Sequence, residues 1–448
     1  MTYSPQSPHP GFVATRADFL DGSDTPRDFL ERGLAILETR DGDVRAFVTT
    51  RLEAARVDAD AATERYKDGR PLSLLDGCPL AVKDMIQTGD LPTQMGSPLF
   101  EGWQAPVDAA CVHALRHAGA VVVGKTVTTE FAAGHTNETR NPHDLERTPG
   151  GSSSGSGAAV GAGMVPLALG TQTRGSVIRP AAFNGAVGFK PALDGIHMGG
   201  VHPLSPTLDH VGIIGAALAD VWAAAHIMAG VPGGVSGHHA LKGTQELPPS
   251  TPPKRLALLP FAEWNDAGPA TLSAMNDALK KIRDAGCEIV HPDDHTPLAS
   301  LQDKLLPMID QDSFDIFAYE MQWPFSAFAP DRLNPRLQDL LERGRAVTEA
   351  QYHTALAHRD ALRALTQDFA HRFDGFITLA STGPAPLGHD ETGSRHYQVP
   401  WSYLGLPCFT LPVMAADGLP LGLQLMGYEM STTDLAAYSR WVMETILI

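Results

Sequence analysis

The chain has 448 residues, 43% hydrophobic and 19% charged, with 43 glycines and 35 prolines, which fits a folded, turn-rich protein and excludes a disordered or fibrous one. A formal net charge of -17 without a basic run argues against nucleic acid or anionic lipid as a partner, and leaves small molecules or proteins. Cys78, Cys111, Cys287 and Cys408 are far apart with no C-x-x-C spacing, and the 18 histidines, the His238-His239 pair included, lack H-E-x-x-H spacing, so no metal site or disulfide framework is expected.

The opening "MTYSPQSPHPGFVATRADFL" shows no basic flank followed by an apolar core, and no later stretch reaches ~18 uninterrupted apolar residues, so a cytoplasmic protein without a membrane span is expected. Residues 26–40 and 44–68 read as helices, the second carrying Val44, Phe47, Leu52, Ala55, Val57 and Ala61 at mainly helical spacing. They form an expected N-terminal scaffold over residues 1–70, packed on a catalytic domain spanning 71–448. From "CPLAVKD" onward, short apolar runs separated by glycine and proline read as buried strands: "PLAVK", "AVVVGK", "MVPLALGT" and "GAVGFK". Helical stretches such as "DAACVHALRHAG" lie between them, which predicts an α/β fold: one large domain with a mixed β-sheet sandwiched between helices. A loop is expected from Gly230 to Pro253. After it come a strand at "RLALLP", a helix at "ATLSAMNDALKKIRDAG" and a strand at "CEIV". Residues 334–372 read as helical, and "GFITLA", "CFTLPV" and "LGLQLMG" as strands before a last helix.

One of these strands raises a competing function. "GAVVVGKT", Gly119 to Thr126, satisfies G-x-x-x-x-G-K-[ST], the spacing of a phosphate-cradling P-loop. Such a loop wraps phosphates with backbone N–H groups in unusual dihedrals, whereas Val121, Val122 and Val123 are β-branched and favour extended backbone. A buried strand ending at Gly124 is expected, and no nucleotide.

Small polar residues concentrate in "TPGGSSSGSGAAVGAGMVPLALGTQTRGSVIRPAAFNGAVGFKP", Thr148 to Pro191. The "GSSSG" inside it formally matches the G-x-S-x-G nucleophile elbow, but that elbow needs an apolar strand upstream and here the approach is the polar "NPHDLERTP". A flexible linker is the bland alternative, and it has no reason to run into "MVPLALG".

Taken whole, this block resembles the amidase signature family, whose pieces recur here in order as "CPLAVKD", "GAVVVGKTVTTEF", "TPGGSSSGSGAAV", "GTQTRGSVIRPAAF" and "SPTLDHVG". The resemblance implies Ser176 as nucleophile, Ser152, preceded by a cis peptide, as proton bridge, and Lys83 as base. It also implies an oxyanion hole of backbone N–H groups from Thr173, Arg174, Gly175 and Ser176. No cofactor is implied. The chemistry suits the residues, because a serine hydroxyl needs a proton acceptor and a lysine accepts only when neutral. The apolar "PLAV" before Lys83 supplies the desolvation that lowers an amine pKa, with Asp84 the expected opponent.

The chain departs from the commonest family pattern at Gln172 and Arg174, where aspartate and glycine are usual. Arg174 could narrow the pocket, recognise an anionic substrate, or pair with a surface acid. Arg179, three residues after Ser176, resembles the malonamidase-like subgroup, where an arginine so placed binds a substrate carboxylate; bracing the loop through carbonyls is the alternative. Tyr397 and Trp401 of "HYQVPWSYLGLP" resemble a segment near the acyl pocket and, with Gln172, are candidate substrate contacts; core packing is the alternative for each aromatic. The expected activity is therefore hydrolysis of a small carboxamide to an acid and ammonia or an amine. Its rivals are the glutamine-hydrolysing subunit of a tRNA-dependent amidotransferase, and a catalytically silent binding scaffold. Homodimerisation is implied by resemblance alone.

Overall fold

The computed structural model describes residues 3–231, 241 and 243–448. Residues 232–240 and 242 of the expected Gly230–Pro253 loop, with His238 and His239, lie outside them.

Among the described residues, the strands join in one 11-stranded sheet ordered β1-β3-β2-β4-β6-β5-β10-β11-β9-β7-β8. In chain order these are β1 (Phe47–Thr50), β2 (Pro79–Lys83), β3 (Val121–Thr126), β4 (Leu167–Gln172), β5 (Val187–Lys190) and β6 (His210–Gly215). The C-terminal half adds β7 (Arg255–Leu258), β8 (Glu288–Val290), β9 (Gly375–Leu379), β10 (Cys408–Ala416) and β11 (Leu419–Met426). The sheet is mixed: β2 runs parallel to β3 and β4, β7 to β8 and β9, and the remaining pairs are antiparallel.

Its central strands are mostly apolar because both faces are covered, while the edge strands β1 and β8 are partly exposed. Leu80 and Val82 of β2, Val122 of β3 and Leu167 and Leu169 of β4 enter one buried cluster, while Ala81, Val121, Val123 and Ala168 enter the other. The second cluster packs beneath the helices Pro26–Val44, Leu52–Lys67 and Ser154–Gly161. The last of these is fully buried, and its small residues are what let it in: a Cβ on Gly155 would stand 2.1 Å from the Ala46 carbonyl oxygen.

Several sequence expectations need correction. The stretch 44–68 is not one helix: Arg45 takes a left-handed conformation, Phe47–Thr50 pairs with β3, and a helix restarts at Leu52. The P-loop-like run is a strand, as its valines require, but it continues past Gly124 to Thr126. Gly124 is needed there, since a Cβ would meet the Thr49 carbonyl oxygen of β1 at 2.4 Å. The helical stretch 334–372 breaks between Ala346 and Glu349, where Thr348 and Gln351 form a capping box. Strand β6 and the helix Thr296–Glu320, which contains Pro307, are additions. No helix among the described residues is long and apolar enough to cross a membrane.

Candidate active site

Strands β2 and β4 are parallel neighbours, and their C-terminal ends bring Lys83 and Thr171 together. Lys83 is fully buried, its Nζ 2.7 Å from Ser152 Oγ, 2.7 Å from Thr171 Oγ1 and 3.5 Å from the Thr171 carbonyl oxygen. No carboxylate is among these neighbours. Burial drives the amine well below the ordinary lysine value of 10.5, and the more distant Asp209 opposes that shift. The Asp84 side chain, the expected opponent, instead forms an ion pair with Lys125 at 3.2 Å.

Ser152 stands just before the buried small-residue helix, and the Gly151–Ser152 peptide is cis. Its carbonyl oxygen accepts from the Thr129 N–H at 3.2 Å, while Ser153 holds the turn to β4 by exchanging bonds with Thr171 at 3.3 Å. The Ser153 N–H also donates to the Ser176 carbonyl oxygen at 3.3 Å, which ties the two serine turns together. Ser176 is half-buried and lines, with Ser152, a cavity of about 200 Å3.

The turn Thr173–Ser176 leaves β4 and enters the short helix Ile178–Phe183. Gln172 fixes its exit: Gln172 Oε1 accepts from the Val177 and Ile178 N–H groups at 2.9 and 3.0 Å, and Nε2 donates to Ser402 Oγ at 2.9 Å. Its entry is held by Asp209, whose Oδ1 accepts from Thr173 Oγ1 at 2.6 Å and whose Oδ2 accepts from the Leu204 and Ser205 N–H groups. Burial pushes the Asp209 carboxyl up to about 6. Gly175 lies close to Gln398, whose Oε1 would stand 2.9 Å from a Cβ there and would have to move to admit one. Thr173, Arg174, Gly175 and Ser176 all face the cavity.

The expected substrate-binding residues divide. Arg174 and Arg179 line the cavity. Gln172, Tyr397 and Trp401 do not: Gln172 is spent on the turn, Tyr397 packs near Phe261, and Trp401 lies 5.3 Å from the Phe376 ring in the core. Arg179 donates from Nη1 to the Gly393 carbonyl oxygen at 3.0 Å, and from Nη2 to the Gly151 carbonyl oxygen at 2.5 Å and Thr392 Oγ1 at 2.9 Å. It therefore braces the Gly151–Ser152 turn against the 392–393 loop. Arg174 is buried, and its Nη2 donates to Ser313 Oγ at 3.0 Å. Thr171 and Asp209 were not singled out in the sequence, although both fall inside stretches that carry the resemblance.

Arranged this way, a buried amine in contact with one serine, a second serine at the same cavity and a turn of backbone N–H groups can activate a hydroxyl and hold a developing oxyanion. Residues 28–435 match the Amidase family. The chain belongs to the amidase family. Within that family it is 32% identical over 462 residues, 94% of this chain and 93% of the relative, to a glutamyl-tRNA(Gln) amidotransferase subunit of Chloroflexus aurantiacus. A solved structure described as an amidase shares 27% identity at a TM-score of 0.83, covering 98% of this chain and 100% of the other. Native peptide amidase from Stenotrophomonas maltophilia shares 26% identity at a TM-score of 0.77, covering 97% and 96%. A Ser-Ser-Lys triad is characteristic of this family.

Proposed function

We propose that this amidase hydrolyses a small linear carboxamide through an acyl-enzyme on Ser176. The observation that carries the reading is the 2.7 Å contact between the buried Lys83 Nζ and Ser152 Oγ at the cavity that Ser176 lines. With the amine neutral, the Ser152 hydroxyl donates to its lone pair and accepts the Ser176 proton in turn. Ser176 Oγ attacks the carbonyl carbon, and the N–H groups of the Thr173–Ser176 turn stabilise the oxyanion. The C–N bond then breaks, the leaving nitrogen takes its proton from Lys83 through Ser152, and ammonia or an amine departs. Water adds to the ester by the reverse relay and releases the acid.

Ammonia release from a panel of aliphatic, aryl and carboxylate-bearing amides tests this reading. Turnover of at least one amide, abolished in Ser176→Ala, is expected. No turnover of any, or full turnover without the Ser176 hydroxyl, would overturn it.

A second reading is favoured by the amidotransferase relatives, such as that of Chloroflexus aurantiacus. In it the chain would release ammonia from glutamine for other chains of a complex. Glutamine hydrolysis that depends on co-purifying chains is its distinguishing outcome.

A further inference from the structure

The cavity beside Ser176 has a charge opposite to that of the chain. The whole chain carries a formal charge of -17, yet Arg174, Arg179, Arg336, Arg343 and Arg395 line this cavity, with Asp339 as the one acidic residue of the lining among the described residues. These arginines come from three separate segments, so their convergence is a product of the fold and not of a basic run.

Three of the five, Arg174, Arg179 and Arg343, are already engaged by the protein. Arg179 spends its fork on main-chain oxygens, and Arg343 lies 4.1 Å over the Phe314 ring and 3.8 Å from Asp339. Arg174 bonds Ser313 and is pressed below the ordinary guanidinium value, first by burial and then by Arg395. The side chains of Arg336 and Arg395 make no hydrogen bond or ion pair among the described residues. With Arg174 these two form a series graded from the exposed Arg395 through the half-buried Arg336 to the buried Arg174, which belongs to the Thr173–Ser176 turn. Nearby acids are few: Asp310 is paired with His396 at 3.2 Å, and Glu391 is exposed. Crowded like charges repel in a low-dielectric cavity, and a planar bidentate anion is the ligand that guanidinium groups match.

We propose that the substrate is a short amide carrying a carboxylate but no ammonium group, with the carboxylate received by Arg336, Arg395 and Arg174. This rests on the hydrolase reading above. A free amino group beside the carboxylate would bring a cation among cations, and Asp339, already close to Arg343, is the single lining acid among the described residues that could meet it. The cavity should therefore discriminate against glutamine.

Glutaramate, glutamine and pentanamide share a carboxamide and a five-carbon chain, and differ in charge at the far end. Glutaramate is expected to give a kcat/KM at least tenfold above both others, through KM. In Arg336→Gln and Arg395→Gln its ratio over pentanamide should fall at least tenfold, and salt should weaken the wild-type preference. Equal rates for glutaramate and pentanamide would overturn the anion pocket while leaving the hydrolase intact. Preference for glutamine would overturn it in favour of the second reading. A binding arm separates the two claims: glutarate titrated calorimetrically into Ser176→Ala should bind, and bind at least tenfold more weakly once Arg336→Gln is added. Such binding without hydrolysis of any amide would keep the pocket and reject the hydrolase; no binding to the folded variant would reject the pocket.

Discussion

Two lysines at the ends of adjacent parallel strands show one residue type placed in two different settings. Lys83 closes β2 and Lys125 lies at the end of β3, with Val82 and Lys125 in register. Both are fully buried. Lys125 faces Asp84 at 3.2 Å and donates to the Ile86 carbonyl oxygen at 2.8 Å and Thr93 Oγ1 at 2.7 Å, so its charge is matched and its role is to pin the 84–93 segment. Lys83 faces two hydroxyls and a carbonyl, with the nearest influential carboxylate engaged by Thr173, Leu204 and Ser205. Desolvation lowers both amines, but a contacting carboxylate opposes it directly only at Lys125. A paired buried lysine holds structure; one left among hydroxyls can act as a base.

The comparison can be broken by substitution. The largest loss should come from Ser176→Ala, about 10^4-fold or more in kcat with the melting temperature nearly unchanged, because one small hydroxyl at a turn contributes little packing. Lys83→Met should follow, with kcat reduced roughly 10^2- to 10^4-fold in a protein that remains folded. Lys125→Met should do the reverse and act mainly on stability. It strands the buried Asp84 carboxylate, a loss typical of broken buried pairs at about 3–5 kcal/mol, lessened where Asp84 takes up a proton. Parallel kcat and thermal-unfolding measurements check all three. Lys125→Met losing rate without stability would erase the distinction between the two lysines.

The pH dependence sharpens the same contrast. A neutral Lys83 means activity rises with pH along a limb centred below 10.5, the ordinary lysine value. Over the window between the lowered folded value and 10.5 the unfolded chain binds more protons at this residue, so its linkage makes stability increase with pH there. The smallest effect is expected for Asp209→Asn. Removing that charge deletes the main influence raising the Lys83 value, and the activity limb should move to lower pH. A shift to higher pH would contradict this electrostatic assignment.

How much of this was legible in the sequence depended on locality. Lys83, Ser152 and Ser176 sit in short motifs whose residues must lie together for any one of them to be useful, and the structure brings all three to one site. Strand β1 escaped because four residues between two helices also satisfy a helical spacing, and only pairing with β3 decides between the two. Pro307 likewise obscured the long helix Thr296–Glu320. Thr171 and Asp209 carried no local sign of their partners, since a hydroxyl or carboxylate takes its meaning from what the fold sets against it. The arginines of the cavity were the least readable: Arg174 stood out as unusual, but Arg336, Arg343 and Arg395 belong to segments with no motif.

The central claim, that an unpaired Lys83 activates Ser176 through Ser152, is tested most directly by the rate and position of labelling with a serine-reactive fluorophosphonate. The probe should modify Ser176, at a rate that rises with pH below 10.5, is nearly lost in Lys83→Met and persists in the folded fraction of Lys125→Met. An adduct on Ser152, or wild-type labelling in Lys83→Met, would contradict it.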